Sequence, residues 1–508
     1  MMPTAAAPEV DVLVAGPVLA PAIGAVLVLA LDALWPRRRM PALVGGAVAL
    51  LAGLAATVRL RLLTVDGGEQ ATICLPDDPA LAVTPAPGAT ASDCIVRVGE
   101  TGALLQALAA AAGLAVLVLL VSRPRGPETR REGGLAPGSS DGSGPGVDVA
   151  LLLATVTGAA MVSAAHDLAS WLIGLELATV PVIALAALHG GRDSGALQLM
   201  TTSVTSFAIA VVGAGLWVVA TGSIRLGGAA SWEAGQDEGS RAVLTVGLVL
   251  LVAGIAFKLS LVPFHAWAPA TYPRSGPAVT LLLAAVSTIA GVGAFIALID
   301  GAAGVLPRLT PVLGVLAVLS MLVGAVLALR APDPLRLVAW SAVTQGGWVM
   351  APLAAGDTDA AIGYLAVYVV AVAAVLTVVA TLSPEGSRTL EDDRGLLRRK
   401  PVHAAVLTLG LLTLAGLPPG VAGLLAKILA LRPLAAEGQW WIALPAVAAA
   451  AIGFAVYLRW VALVLLPTDE AREPEETSRA RTLVMLAVGL LLLVATILPV
   501  ILLGAGTN

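Results

Sequence analysis

The chain has 508 residues, 58% of them hydrophobic and only 12% charged, with a mean hydropathy of +0.93 and a formal net charge of −4. That balance excludes an ordinary soluble domain, in which about 25% of residues are charged, and the dispersed arginines offer no basic face to nucleic acid. The composition predicts a polytopic membrane protein of the all-α class, with the lipid bilayer as its solvent.

Apolar windows of about 20 residues, the length that crosses ~30 Å of hydrocarbon, can be placed fourteen times along the chain. They fall at 10–34, 41–60, 100–122, 147–165, 168–189, 195–220, 241–262, 277–300, 307–330, 335–353, 358–382, 401–431, 440–466 and 481–504. The chain is therefore expected to hold about 14 transmembrane helices, here spans 1 to 14. Residues 1–146 carry spans 1–3 with a cysteine-bearing loop and a linker; 147–300 carry spans 4–8, 307–466 spans 9–13, and 467–508 an acidic loop and span 14. The segment 123–147, rich in Gly, Pro, Ser and charge, reads as a cytoplasmic linker, and the acidic stretch 469–476 as a solvated face.

Lysine and arginine in alternate connections divide 19 to seven between the two sides. The positive-inside rule then puts both termini outside the cytoplasm. The two cysteines, Cys74 and Cys94, share one extracytoplasmic loop, where they either close a disulfide or remain two thiols. With no CxxC spacing and no Cys/His cluster, an iron–sulfur, zinc or c-type haem site is not expected in this chain.

Ionisable groups inside the spans are few, and two of the chain's three lysines, Lys258 and Lys427, are among them. An ammonium at the centre of a bilayer costs roughly 2.5–3.5 kcal/mol, and unlike a guanidinium it can release its proton when buried. These lysines therefore point to proton handling. Glu176, midway along span 5, serves either as a partner that exchanges protonation with a lysine or as a structural ion pair. Pro181, just beyond it, frees the carbonyl of residue 177. In span 7, Lys258 precedes Pro263, His265 and Pro269; in span 12, Gly416, Pro418, Pro419 and Gly420 precede Lys427. Each lysine thus stands beside a helix breaker, which predicts broken helices 7 and 12. The two spans run in opposite senses, as the matched members of two inverted five-helix repeats would. His265 is either a proton shuttle or an interfacial histidine satisfying a loop carbonyl.

The runs FKLSLVPFHAWAPATY and GPAVTLLLAAVST, with GLELATVPVIALAAL in span 5, LAGLPPGVAGLLAK in span 12 and IGFAVYLRW in span 13, resemble the antiporter-like membrane subunits of bacterial respiratory complex I. VPFHAWAP followed by Tyr272 is closer to subunit N of NADH-quinone oxidoreductase than to its paralogues L and M or to Mrp-type antiporters. The resemblance covers about residues 147–466. It implies fourteen helices, two inverted units with broken helices, and a hydrated charged axis that moves protons while NADH oxidation and quinone reduction occur in other subunits. Residue by residue, it makes Glu176 and Lys258 the charge pair of a first half-channel and Lys427 the lysine of a second, and Arg336 matches a basic residue near the start of span 10.

Three positions depart from the family's pattern. Gln198 stands where a lysine is usual early in span 6. Thr288 follows Ser287 where a central lysine is usual. The family commonly reads Ser-x-x-His in span 10, where the run Ser341-Ala-Val-Thr-Gln345 offers Gln345 instead. An amide or hydroxyl can hold water but cannot carry an excess proton as a titrating site.

The resemblance further implies other membrane subunits and protons as partners, and no cofactor in this chain, with NADH, FMN, iron–sulfur clusters and quinone belonging to partner subunits. No Rossmann, P-loop or flavin pattern appears. The expected function is that of a proton-translocating subunit of the NADH-quinone oxidoreductase enzyme, in a bacterial plasma membrane. The alternatives are a non-pumping scaffold subunit of such a complex and an Mrp-type cation/proton antiporter subunit.

Overall fold

Backbone amides in hydrocarbon have no water to bond, so apolar runs of this length close their hydrogen bonds internally as helices. A computed structural model describes residues 10–36, 38–64, 68–75, 93–122, 144–189, 195–227, 229–302, 306–383, 388–467 and 478–503. Most of the linker read at 123–147, and all of the acidic stretch 469–476, lie outside the described residues.

The first third contains α1 (Val12–Leu34), α2 (Arg39–Thr64), the strands β1 (Gln70–Leu75) and β2 (Asp93–Val98), and α3 (Glu100–Val121). Next come α4 (Pro145–Val162), α5 (Leu168–Leu177), α6 (Val180–His189), α7 (Gly195–Thr221), the short α8 (Ala229–Gln236), α9 (Glu238–Ala256), α10 (Trp267–Leu281), a π-helical segment (Leu282–Ser287) and α11 (Thr288–Gly301). The remainder comprises α12 (Leu306–Ala328), α13 (Pro334–Ala354), α14 (Thr358–Leu382), a 3₁₀ turn (Leu390–Asp393), α15 (Leu396–Arg399), α16 (Pro401–Ala415), α17 (Val421–Ala436), α18 (Trp440–Leu465), α19 (Arg479–Ile497) and α20 (Val500–Leu503). Twelve spans among the described residues are long and apolar enough to cross a membrane, with α5–α6 and α10–α11 each counted once. The helix α13, and α16 with α17 end to end, bring these to the fourteen expected. The chain is a polytopic helical membrane protein.

Helix ends are set by a small number of polar residues. Asp11, Asp167, Asp237, Asp333 and Asp357 stand at the N-caps of α1, α5, α9, α13 and α14, each accepting a first-turn backbone N–H at 2.8 Å. Such a cap contributes about 1 kcal/mol. Arginines close some C-termini: Arg459 donates to the carbonyls of Leu329 and Ala331 beyond α12 at 2.6 and 2.8 Å. The buried Arg481 donates to Ala380 in α14 and Ser122 at the end of α3, at 3.1 and 3.3 Å. The apolar window of α14 is wholly buried and that of the α10–α11 run nearly so, which puts these helices at the centre of the bundle. In α1, α2, α7 and α19 most of the apolar surface faces outward, as helices in contact with lipid require.

The hairpin β1–β2 is the one addition to the all-helical reading among the described residues. Cys74 lies opposite Cys94 in its antiparallel register, and the two form a disulfide. The loop between α4 and α5 adds to this hairpin: Arg97 N donates to Ala164 O at 3.0 Å and His166 N to Ile95 O at 3.1 Å. On the other side of that loop, Leu226 N donates to His166 O and Leu168 N to Ile224 O. Burial pushes the His166 imidazole below the usual histidine range, beside Arg97, Glu69 and Asp167.

Two boundaries differ from the sequence reading. Span 7, expected to reach residue 262, ends its helix at Ala256, and residues 257–266 form turns in which Ser260 takes a φ of 52° and the Val262–Pro263 bond is cis. The chain then re-enters a helix at Trp267, and Gly276, with φ 75° and ψ 165°, divides α10 into the second half of the broken span and the start of span 8. Pro269 and Pro273 lie in that second half, between the expected spans 7 and 8, and Pro269 falls in the first turn, where its missing N–H costs nothing.

Candidate functional site

Pro181 has no N–H to give, and the helix of span 5 parts at Ala178–Thr179. Thr179 N bonds Glu176 O at 2.9 Å instead of reaching back to Leu175. The Leu175 carbonyl is thereby left to side chains. Thr179 Oγ1 donates to it at 2.7 Å, and so does Lys258 Nζ at 2.6 Å. Lys258 is only 8% exposed, at the end of α9 where its own helix has unwound. A Cβ on Gly291 of α11 would come within 3.2 Å of the Lys258 Cβ, so a glycine there gives the lysine its place. The half-buried carboxylate of Glu176 lies within electrostatic reach of the ammonium, while the hydrogen bond itself goes to the carbonyl one residue earlier.

Lys427 repeats this arrangement in the other unit. Gly416 ends α16 at φ 79°, a left-handed conformation suited to glycine, and the break continues through the cis Pro418–Pro419 bond. Lys427 Nζ, on α17, reaches back over the break to donate to Leu414 O at 3.0 Å and to Ala415 O. It is 7% exposed and stands 5.4 Å from the centre of the Trp348 ring. Charged hydrogen bonds contribute ~1.5–3 kcal/mol each, enough to offset a burial cost of roughly 2.5–3.5 kcal/mol. Both ammonium groups are thus held by carbonyls that helix breaks release.

The other expected residues divide into those near these lysines and those apart from them. Gln345 is 2% exposed and sits in the Lys427 cluster, donating from Nε2 to Tyr457 Oη at 3.0 Å and to Leu414 O at 3.4 Å and accepting from the Tyr364 hydroxyl. Tyr457 Oη in turn lies 2.7 Å from Ser341 Oγ. Gln198 Nε2 donates to Ala266 O at 3.3 Å, joining α7 to the break after Lys258. Buried Thr288 bonds Leu283 O at 3.3 Å inside the π-helical segment, one turn from Gly291. His265 is half-buried and packs on Trp340, with ring centres 5.6 Å apart. Arg336 is held at the start of α13 by its cap residue Asp333, 3.7 Å away, and Gln345 lies nine residues, or about 13 Å, further along the helix.

Sequence reasoning missed the tyrosines. The chain has four, Tyr272, Tyr364, Tyr368 and Tyr457, and all are buried. Tyr364 stacks on Trp348 at 5.8 Å and 9°. Two small cavities of about 10 Å³, each with room for about one water, flank Gln345. Ser341, Thr344, Trp348, Lys427 and Tyr457 line the first; Tyr364, Tyr368, Thr413 and Gly423 line the second. The signal was there in the i, i+4 spacing of Tyr364 and Tyr368, which puts both phenols on one face of span 11.

The family described as NADH:quinone oxidoreductase/Mrp antiporter, TM matches residues 165–453. NADH-quinone oxidoreductase subunit N of Salinispora tropica is 36% identical over 475 residues, covering 88% of this chain and 84% of that protein. Subunit N 2 of Streptomyces griseus is 32% identical over 495 residues, covering 93% and 86%. A chain of respiratory complex I from Thermus thermophilus superimposes with a TM-score of 0.73 at 26% identity, over 97% of this chain and 100% of that one. A chain of the Mrp complex from Dietzia sp. gives a TM-score of 0.77 at 19% identity, over 98% and 96%, a likeness of fold alone.

Proposed function

The chain belongs to the antiporter-like membrane family of NADH-quinone oxidoreductase subunit N, and we propose that it translocates protons within such a complex. The observation that carries this reading is the placement of Lys258 and Lys427, two buried ammonium groups docked on carbonyls at helix breaks in two units of the bundle. A lysine so held can keep its proton while the carbonyls face it and release it when they turn away. Glu176 supplies the opposing charge beside Lys258, and its protonation weakens the hold on that ammonium. Redox chemistry belongs to partner subunits that carry NADH, FMN, iron–sulfur clusters and quinone. The chain sits in a bacterial plasma membrane with both termini outside the cytoplasm, in keeping with the 19-to-seven division of basic residues.

The test uses the assembled complex in inverted membrane vesicles. Lys258→Ala and Lys427→Ala should each remove most NADH-driven proton uptake while the complex still assembles. Gln198, Thr288 and Gln345, which do not titrate, motivate a second reading as a scaffold. Uptake at the level of the unaltered protein in both variants would establish the scaffold instead.

A further inference from the structure

Lys258 and Lys427 lie in different halves of the bundle, and two positions between them where a titrating residue is expected hold Thr288 and Gln345, which do not titrate. The structure fills that interval with phenols. Tyr272 on α10 meets Trp267 edge-on at 5.9 Å, and Trp267 Nε1 donates to Phe257 O, next to Lys258, at 2.9 Å. The helix α10, which carries Tyr272, packs on α14, which carries Tyr364 and Tyr368. Tyr364, one turn from Tyr368, bonds Gln345, which shares the Leu414 carbonyl with Lys427.

One of these phenols differs from its neighbours. The Tyr368 hydroxyl, on a side chain 3% exposed, has no hydrogen-bond partner among the described residues and lines the cavity beside Gln345. A buried hydroxyl left unpaired is destabilising, and a water in this cavity would satisfy it, because Tyr364 and Thr413 supply further polar partners. Gln345 itself cannot pass a proton onward as an amide. A phenol with a water beside it can, because its oxygen accepts one proton while its O–H gives up another.

We infer that Tyr368 is the proton relay joining the two halves, working through a water in the cavity it shares with Tyr364, Thr413 and Gln345. In each passage one O–H bond forms at the phenol oxygen and one breaks, so the residue ends neutral with its proton exchanged, and no oxidant or reductant takes part. The inference rests on the reading that the chain translocates protons.

The experiment measures protons moved per NADH oxidised in inverted vesicles containing the full complex. Tyr368→Phe removes only the hydroxyl and should lower that ratio to the level reached by Lys427→Ala. Lys427→Ala, run alongside, tests the underlying reading. A normal ratio in Tyr368→Phe with loss in Lys427→Ala overturns the relay and leaves proton translocation standing; normal ratios in both overturn both. A second variant carries 3,5-difluorotyrosine at position 368, which keeps the shape of the ring but acidifies its hydroxyl. Its ratio should shift along the pH axis, whereas a hydroxyl that only supports packing would leave the profile unmoved and overturn the relay, even if Tyr368→Phe fails to assemble.

Discussion

Replacing Lys427 by methionine keeps an unbranched stem of similar length and removes the ammonium. The variant loses two charged hydrogen bonds, to Leu414 O and Ala415 O, and the approach to Trp348 at 5.4 Å. The bonds contribute ~1.5–3 kcal/mol each and the ring contact ~0.5–2 kcal/mol. Against that stands relief from burying a charge, roughly 2.5–3.5 kcal/mol. With low ends paired and high ends paired, the difference is a net cost of about 1–4.5 kcal/mol, below the ~5–15 kcal/mol that typically holds a domain together. Lys427→Met should therefore assemble with a lowered melting temperature yet fail to support NADH-driven proton uptake. Native gels, thermal unfolding in detergent and dye quenching in inverted vesicles read the three quantities. Loss of the subunit from the complex would show that the lysine's contribution to the fold has been underestimated, and normal uptake would show that it carries no protons.

Three further outcomes follow from other parts of the molecule. Lys258→Arg keeps the positive charge at Leu175 O but cannot release a proton, so it should assemble and pump poorly; normal pumping would exclude a titrating role at that position. The Cys74–Cys94 disulfide spans 20 residues, and Cys74→Ser with Cys94→Ser should cost about 3 kcal/mol of local stability in the chain-entropy model, read as faster proteolysis of the hairpin; an unchanged cleavage rate would refute it. His166 is held neutral by burial, so its contribution to stability should be complete above about pH 6.5 and decline as pH falls below that, where the unfolded chain binds the proton more readily. The drop in melting temperature between pH 7.5 and 5.5 should be smaller in His166→Gln, and an equal drop would place its origin elsewhere.

The spans were legible because hydrocarbon thickness imposes a length and apolar composition marks it. The breaks were legible too, since Pro263 and the run from Gly416 to Gly420 cannot sustain a helical ladder. What escaped were features that depend on distant partners. The hairpin needs Gln70–Leu75 to find Asp93–Val98, and neither strand is long enough to announce itself. Pro181 pointed to a free carbonyl at residue 177, whereas the acceptor that Lys258 uses belongs to Leu175, because Thr179 re-bonds to Glu176. Arg336 matches a basic residue near the start of span 10, and its neighbour there, the cap residue Asp333, shows only in the structure. The tyrosines escaped a search for charge because neutral hydroxyls matter only once their neighbours are known.

The loop from Ser163 to Asp167 is stitched to β2 on one side and to residues 224–226 on the other. The leading end of α5 is therefore anchored, and this helix cannot slide lengthwise or swing as a free rod. Leu175 and Glu176 are fixed with α5, so a change in their distance from Lys258 must come from movement of Lys258 at the end of α9, while bending at the Ala178–Thr179 joint moves α6 against α5. Work done on this half of the molecule from the far side would arrive as a bend at a single hinge, and the hairpin would act as the abutment against which that bend is made.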